Sequence, residues 1–337
     1  MSRVCALIRH PTFKEGGQTA LAVNYLRVLR MIYGRDLRVI ETTGGLSPIK
    51  SKYGAYLTEA LITAFNGCDE IHLLNTNKVL PTFINSLLNH KRIISYQFSY
   101  LPKIHGNWEV ERVIIERDSN FVVGSSRRIA KLFRNGVFIN PPINIELFKP
   151  RDKALARKLL GLPINGRIVG YVGDVDEKRG FDIVVKLASD VNNDVKFLIA
   201  SLHVDNASKD TLRTLAKAIR RGNALLMLRE APIWYVYNAV DALLLPIRGD
   251  YPPTEPPMTL LEALSSGTPV IGSLSPSMVD YRGLYIGVED DEWDDVISII
   301  SDDGLLRDYS ERARDYIVKN NEYSVVVNKL KGLLQRT

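Results

Sequence analysis

Lys178 and Arg179 stand side by side in YVGDVDEKRGFDIVV, just ahead of Gly180–Phe181, where a helix is expected to begin. Backbone N–H groups and the helix dipole already favour anions at such a terminus, so two cations there suit a diphosphate and the charge it gains as a leaving group. Gly173 ends the preceding apolar run and lets the backbone approach a ligand closely. Asp174-Val175-Asp176 has the spacing of an Asp-x-Asp metal motif, but it precedes two cations and no metal is expected. The plainer alternative is a solvated charged loop.

A second loop is richer: LLLPIRGDYPPTEPPMTLLEALSSGTPVIGS. An apolar strand ends at Pro246, and prolines lead to a helix starting near Pro256–Pro257, with Thr254 or Glu255 at its cap. The amides of Met258, Thr259 and Leu260 are then expected to be free, as at any helix start, and to form a phosphate site. Glu262 lies one turn on. Its flanks Leu260, Leu261, Ala263 and Leu264 predict a buried, partnered acid able to accept bonds from paired hydroxyls such as those of a ribose. A third loop, KEGGQTALAVNYL, offers Gly16 and Gly17 before a helix. It is neither a three-glycine dinucleotide fingerprint nor a P-loop, and an ordinary flexible loop is its alternative.

The elements that must position these loops alternate strand and helix, the pattern of parallel α/β architecture. Strands are expected at 3–9, 37–41, 70–74, 92–97, 120–124 and 137–139, then at 167–172, 195–200, 224–228, 242–246, 269–272 and 284–288. Helices are expected at 18–33, 53–65, 80–89, 110–117, 126–134, 181–190, 209–220 and 258–265, with two more, 303–320 and 323–334, closing the chain. INPPINIELFKP breaks the rhythm and reads as a connection between domains. The division is therefore 1–146 and 147–321, with the last helical stretch beyond it. Both are read as Rossmann-like, doubly wound parallel sheets, with a cleft between the carboxyl ends of their strands.

The 337 residues fit two domains, and 45% hydrophobic with 24% charged residues is an ordinary globular composition. No apolar run is long enough to span a bilayer, and the N-terminal stretch does not resemble a signal peptide, so a cytoplasmic location is expected. Cys5 and Cys68 fall in apolar, strand-like contexts; a disulfide or a reactive thiol is open, and two separate buried thiols are the expected reading. Residues 1–150 hold 20 Lys and Arg against 11 Asp and Glu, a net of +9, whereas 151–337 hold 24 against 27, a net of −3. A basic half suggests an anionic partner such as a membrane surface or lipid phosphate, unless the excess is simply solvated. No RNA- or DNA-binding motif accompanies it, and nucleic acid is not an expected partner.

Taken together, the Gly-Gly loop, Ser125-Ser126, PPINIELFKP, YVG with KRGFD, ALLLP and LLEALSSGTPVI resemble glycosyltransferase family 4, retaining enzymes of the GT-B fold. The likeness runs from about Gly16 to the last helix. It implies donor contacts from Gly16 and Gly17, a diphosphate held by Arg179 or Lys178, a ribose on Glu262, and a base against backbone at 229–231, which includes Glu230. It also implies that 147–321 is the donor-binding domain, that a closing helix at about 322–337 packs on and completes the N-terminal domain, and that transfer occurs without metal or cofactor, on the face from which the diphosphate departs. Three positions differ from the family's pattern. Thr254 occupies the place of the first carboxylate, eight residues before Glu262, with Glu255 seven before it. Asp174 replaces an Arg after the glycine, and Gln97 and His105 are what the chain offers where a His often lies near the sugar.

The expected activity is hexosyl transfer from a nucleoside-diphosphate sugar, with retention, to a sugar or lipid-linked acceptor, by a protein at the inner membrane face. Candidate catalytic residues are Glu255, Arg179 and Lys178; Gln97 and His105 are acceptor-side candidates. The helix 24–33, apolar with two arginines, is the expected membrane-facing element. A catalytically impaired protein that only binds nucleotide sugars is the alternative. An epimerase or phosphorylase sharing the fold lacks placeable acid/base residues or a cofactor lysine.

Overall fold

The computed structural model describes residues 3–9, 17–42, 52–75, 78–88, 91–103, 106–191, 195–201, 206–228, 232–249, 251, 254–289 and 292–335. Expected site residues Gly16, His105 and Glu230, with the rest of the 229–231 segment, lie outside them. The chain divides into two units: Met1–Pro142 with Pro253–Glu255 and Asn320–Thr337, and Ile143–Pro252 with Pro256–Lys319.

Unit 1 runs β1 (Val4–Arg9), α1 (Gly17–Tyr33), β2 (Leu37–Thr42), α2 (Lys52–Phe65), β3 (Glu70–Leu73), α3 (Val79–Leu88), β4 (Arg92–Gln97), α4 (Trp108–Asp118), β5 (Phe121–Gly124), α5 (Arg127–Ala130) and β6 (Gly136–Phe138). Its sheet is parallel, in the order β2-β1-β3-β4-β5-β6. The inner strands β1, β3, β4 and β5 are buried along nearly their whole length, as strands covered on both faces must be, whereas the edge strands β2 and β6 are partly open. Leu21, Ala22, Tyr25, Val28 and Leu29 bury one side of α1, so that helix is part of the core. Arg27, Arg30 and Met31 lie on its exposed side.

Unit 2 follows with α6 (Lys153–Leu160), β7 (Arg167–Val172), α7 (Phe181–Asp190), β8 (Val195–Ala200), α8 (Lys209–Arg220), β9 (Ala224–Met227), α9 (Ile233–Ala239), β10 (Ala242–Leu245), α10 (Met258–Ser265), β11 (Val270–Ser273), β12 (Ile286–Val288), α11 (Val296–Ser301) and α12 (Asp303–Asn321). Its parallel sheet has the order β12-β11-β10-β7-β8-β9, the doubly wound arrangement whose direction reverses between β7 and β10. The closing helix α13 (Tyr323–Leu334) is counted with unit 1. There Tyr323 Oη donates to Asn24 Oδ1 at 2.7 Å, and Arg92 Nη2 donates to the Leu334 carbonyl at 2.7 Å.

The connection 139–150 divides at Pro142 rather than at 146, and hydrogen bonds account for the difference. The carbonyls of Ile139 and Pro141 accept from Tyr25 and Asn321, while those of Ile145 and Phe148 accept from Arg314. A second correction concerns the cysteines. Cys5 and Cys68 are joined in a disulfide, with a Cα separation of 6.0 Å. The pairing of β1 with β3 places Cys5 opposite Ile71 and so brings together residues 63 apart in sequence. Both sulfurs remain buried among Leu7, Ile71 and Ile93.

The reversal point of the second sheet is closed tightly. Gly180 has φ 70°, and a Cβ there would lie 1.9 Å from the Pro246 carbonyl oxygen. Gly180→Ala should therefore lower stability by roughly 2–4 kcal/mol through strain and displacement of the 173–180 loop. Urea unfolding measures this, and a loss below about 1 kcal/mol would show that the junction yields easily.

Candidate functional site

In unit 2 the loop after β7 carries the residues singled out for a diphosphate. Gly173, at φ 142°, has no side chain, and the Arg179 guanidinium lies over it: a Cβ on Gly173 would be 3.1 Å from Arg179 Nη1. Arg179 pairs with Asp174 at 3.4 Å and lies over the Tyr251 ring at 5.8 Å. Its Nε is buried without a hydrogen-bond partner in the structure, a donor left over at a cationic site. Asp176 takes a different role: it accepts from the Lys178 amide at 2.9 Å and from Tyr251 Oη at 3.2 Å, holding the turn Glu177–Arg179. The two aspartates of the Asp-x-Asp spacing thus serve different partners. Lys178 is exposed, and its carbonyl accepts from the Arg248 amide at 3.1 Å.

α10 begins at Met258, after Pro257, with no side-chain cap. Thr259 is half-buried and Met258 nearly fully buried. The Leu260 amide donates to the Pro257 carbonyl at 3.1 Å, which corrects the expectation that all three amides are free. Glu262 has the partner that its apolar flanks demand: Tyr237 Oη donates to its Oε2 at 2.7 Å. Glu262 keeps some surface exposure, yet desolvation pushes its carboxyl up to about 7, with the Tyr237 hydrogen bond pulling part of the way back.

Glu255 is the main surprise. It is completely buried and belongs to unit 1. Thr254 pairs with Ser99 in an antiparallel bridge, and the Glu255 amide donates to the Phe98 carbonyl at 2.9 Å. Ser126 Oγ donates to Glu255 Oε2 at 2.9 Å, Arg128 Nη2 bonds Oε1, and Arg128 Nε reaches Oε2 at 3.3 Å. Arg128 in turn lies 3.9 Å from the Tyr100 ring centroid. Both carboxylate oxygens are thus engaged inside the protein, by Ser126 and Arg128. Gln97 is likewise buried, its amide donating to the Ser99 carbonyl at 2.7 Å. Gly17 opens α1, and Gln18 beside it bonds Ser99 Oγ.

Sequence reasoning passed over one polar group. At the carboxyl ends of β1, β2 and β3, Arg9 pairs with buried Glu59 at 3.0 Å, Thr42 donates to the same oxygen at 3.1 Å, and Asn75 accepts from the Arg9 amide at 2.8 Å. This is the reversal point of the first sheet, between β1 and β3. The signal was available: Arg9 ends an otherwise apolar strand, as site residues on such sheets do.

Residues 152–316 match the family described as Glycosyl transferases group 1. That stretch, just under half of the chain, lies almost wholly in unit 2. D-inositol 3-phosphate glycosyltransferases of Mycobacterium tuberculosis and Mycobacterium bovis are 27% identical over 210 residues, 59% of this chain and 42% of theirs. In structure, Anabaena HepE in complex with UDP and glucose superposes with TM-score 0.77 and 14% identity over the whole of both chains. Sucrose-phosphate synthase from Thermosynechococcus elongatus gives 0.74 and 16% over 100% of this chain and 99% of its own. The fold of the chain is GT-B. The group 1 domain contains the 173–180 loop and Glu262, whereas Gln97, Arg128 and the Arg9 cluster lie outside it. Among the described residues no group of His, Cys, Asp and Glu is placed to hold a metal ion, and no helix is long and apolar enough to cross a membrane.

Two outcomes follow. Glu262 holds a proton in the folded state that the unfolded chain releases near its ordinary value of 4.5, so stability falls as pH rises from about 4.5 to about 7. Glu262→Gln should remove that slope, and thermal unfolding at pH 5 and pH 8 checks it; parallel slopes for both proteins would refute the assignment. Arg128→Ala strands a fully buried carboxylate and should lower stability by about 3–5 kcal/mol, measured by denaturant unfolding.

Proposed function

We propose that the chain transfers a sugar from a nucleoside-diphosphate donor to an acceptor. The observation that carries this is Arg179, poised over Gly173 at the reversal point of the second sheet with a buried donor nitrogen to spare. A diphosphate oxygen would fill that need, and Arg179 would stabilise the charge as the glycosidic bond breaks. Lys178, exposed at the same turn, would add a second cation. Glu262 as a carboxylate would accept from ribose hydroxyls, and the Arg9 cluster at the reversal point of the first sheet would meet an acceptor. Support comes from the group 1 domain and from neighbours of the same fold that hold UDP and UDP-glucose. Transfer with retention, without metal or cofactor, as in the family 4 enzymes the sequence resembles, is part of the proposal. So are a hexose as the transferred sugar and a sugar or lipid-linked acceptor.

One observation favours a second reading. With Glu255 enclosed by Arg128 and Ser126, the chain would bind nucleotide sugars without turning them over. Calorimetry and a product assay on the same preparation, with and without chelator, separate the two: heat with product supports transfer, heat alone supports a binder. Arg179→Ala should weaken nucleotide-sugar binding tenfold or more, in line with roughly 1.5–3 kcal/mol for a hydrogen bond to a charged group. Unchanged affinity in that variant would remove Arg179 from the site.

A further inference from the structure

A cavity of about 290 Å³ opens in unit 2 at the amino ends of the strands, the end opposite the 173–180 loop. Arg167 begins β7, Asp241 immediately precedes β10 and Pro269 immediately precedes β11, and all three line it. Its walls are charged. Arg151, Lys153, Arg167 and Arg307 stand against Asp241 and Asp303, a net of +2 for the lining. Both acids are already engaged: Asp241 by buried Arg157 at 2.7 Å, by Lys153 at 2.5 Å and by the Ile168 amide at 2.7 Å, and Asp303 by Arg167 at 2.9 Å. Arg151 donates to the Lys149 carbonyl at 3.1 Å and lies 5.6 Å from the Tyr235 ring, and neither it nor Arg307 meets a carboxylate among the described residues.

Cations at a surface are ordinary by themselves. Ser266, which follows the last turn of α10, adds an independent sign of a ligand. It is 3% exposed, lines the cavity, and its hydroxyl has no hydrogen-bond partner in the structure. Such a group costs stability until something supplies the partner. The neighbouring hydroxyls are occupied: Thr268 donates to the Tyr237 carbonyl at 2.8 Å and Ser310 to the Gly267 carbonyl at 2.5 Å. A hydroxyl donor beside two guanidiniums that hold no carboxylate suits a phosphate oxygen.

We propose that this cavity is a second ligand site that takes a phosphate group, free or carried on a small molecule, and that it communicates with Glu262. A phosphate monoester carries about −1.5 to −2 charges near pH 7, which matches the excess in the lining. The volume leaves room for an ester as well as for the free ion. The link to Glu262 is short. Tyr237 lines the cavity and donates to Glu262 Oε2, and the Ser266 amide donates to the Glu262 carbonyl at 2.9 Å. An occupant that orders Tyr237 and the end of α10 therefore orders the carboxylate, and binding at either site favours the other. The communication, though not the binding, rests on the donor reading.

The test is calorimetry on the full chain without nucleotide, in chloride at constant ionic strength, with inorganic phosphate in one arm and glycerol 3-phosphate in the other. Binding is expected, and the tighter arm tells the free ion from an ester. The Arg151→Ala, Arg307→Ala double variant should bind at least tenfold more weakly with unchanged thermal unfolding. Ser266→Ala should also weaken binding while its thermal stability stays the same or rises, the reverse of what a structural hydroxyl would show. Arg179→Ala, which removes the cation of the other anion site, should keep phosphate binding. Wild-type chain saturated with phosphate should bind UDP-glucose about fivefold more tightly, and the double variant should show no gain. Absence of binding in both arms overturns the site. So does undiminished binding by the folded double variant, or binding abolished by Arg179→Ala, which would put the phosphate on the donor loop. Equal UDP-glucose affinity with and without phosphate overturns the communication, whereas a chain that binds phosphate but no nucleotide sugar refutes the donor reading and leaves the cavity assignment standing.

Discussion

The close approach of Gly180 to the Pro246 carbonyl is the constraint on which the candidate donor site depends. Any side chain at Gly180 would collide with that oxygen, and the positive φ turns the chain back toward the end of β7. The turn Glu177–Arg179 is thereby pressed against the end of β10, and Arg179 comes to rest over Gly173. Two glycines thus carry the geometry, one by admitting a carbonyl and the other by admitting a guanidinium. Asp176, Tyr251 and Arg248 then fix the turn from outside through hydrogen bonds that the sheet order makes reachable.

A different interaction governs unit 1. Arg128 is on the short helix α5, and the carboxylate it holds arrives from a segment more than a hundred residues later. Ser125 and Ser126, which a sequence reading takes as part of a family signature, bond the carbonyl and the side chain of Glu255. A fully buried carboxylate is tolerated here because every oxygen has a donor and one donor is cationic. The same arrangement removes Glu255 from the solvent a substrate would arrive through.

Charge and exposed apolar surface are concentrated in the same unit. The net positive charge is legible by counting, but the apolar face is not, because α1 has more apolar residues than α2 and buries most of them. Helix α1 is covered by the sheet and α13, whereas α3 packs between α2 and α4 and the three leave apolar side chains exposed. Amphipathic spacing says that a helix has an apolar face and nothing about what covers it.

All twelve expected strands form, several with the expected ends, because each is a short apolar run bounded by turn residues and parallel strands need little else. Three helices, α6, α9 and α11, were missed; for α6 the signal existed, an Asp152 cap and Gly161 in the left-handed conformation. The glycines and cations of the 173–180 loop and the partnered acid at Glu262 were legible for the same local reason: each sits at a fixed distance from its own element. The partners were not. That Cys5 meets Cys68, that Glu255 belongs to Arg128, and that Tyr237 answers Glu262 are products of strand order and helix packing. Local sequence determines which elements form and which groups stand at their ends; which of those groups meet across 25 to 130 residues is decided by the tertiary fold, since burial forces each polar atom to find whatever partner the packing supplies.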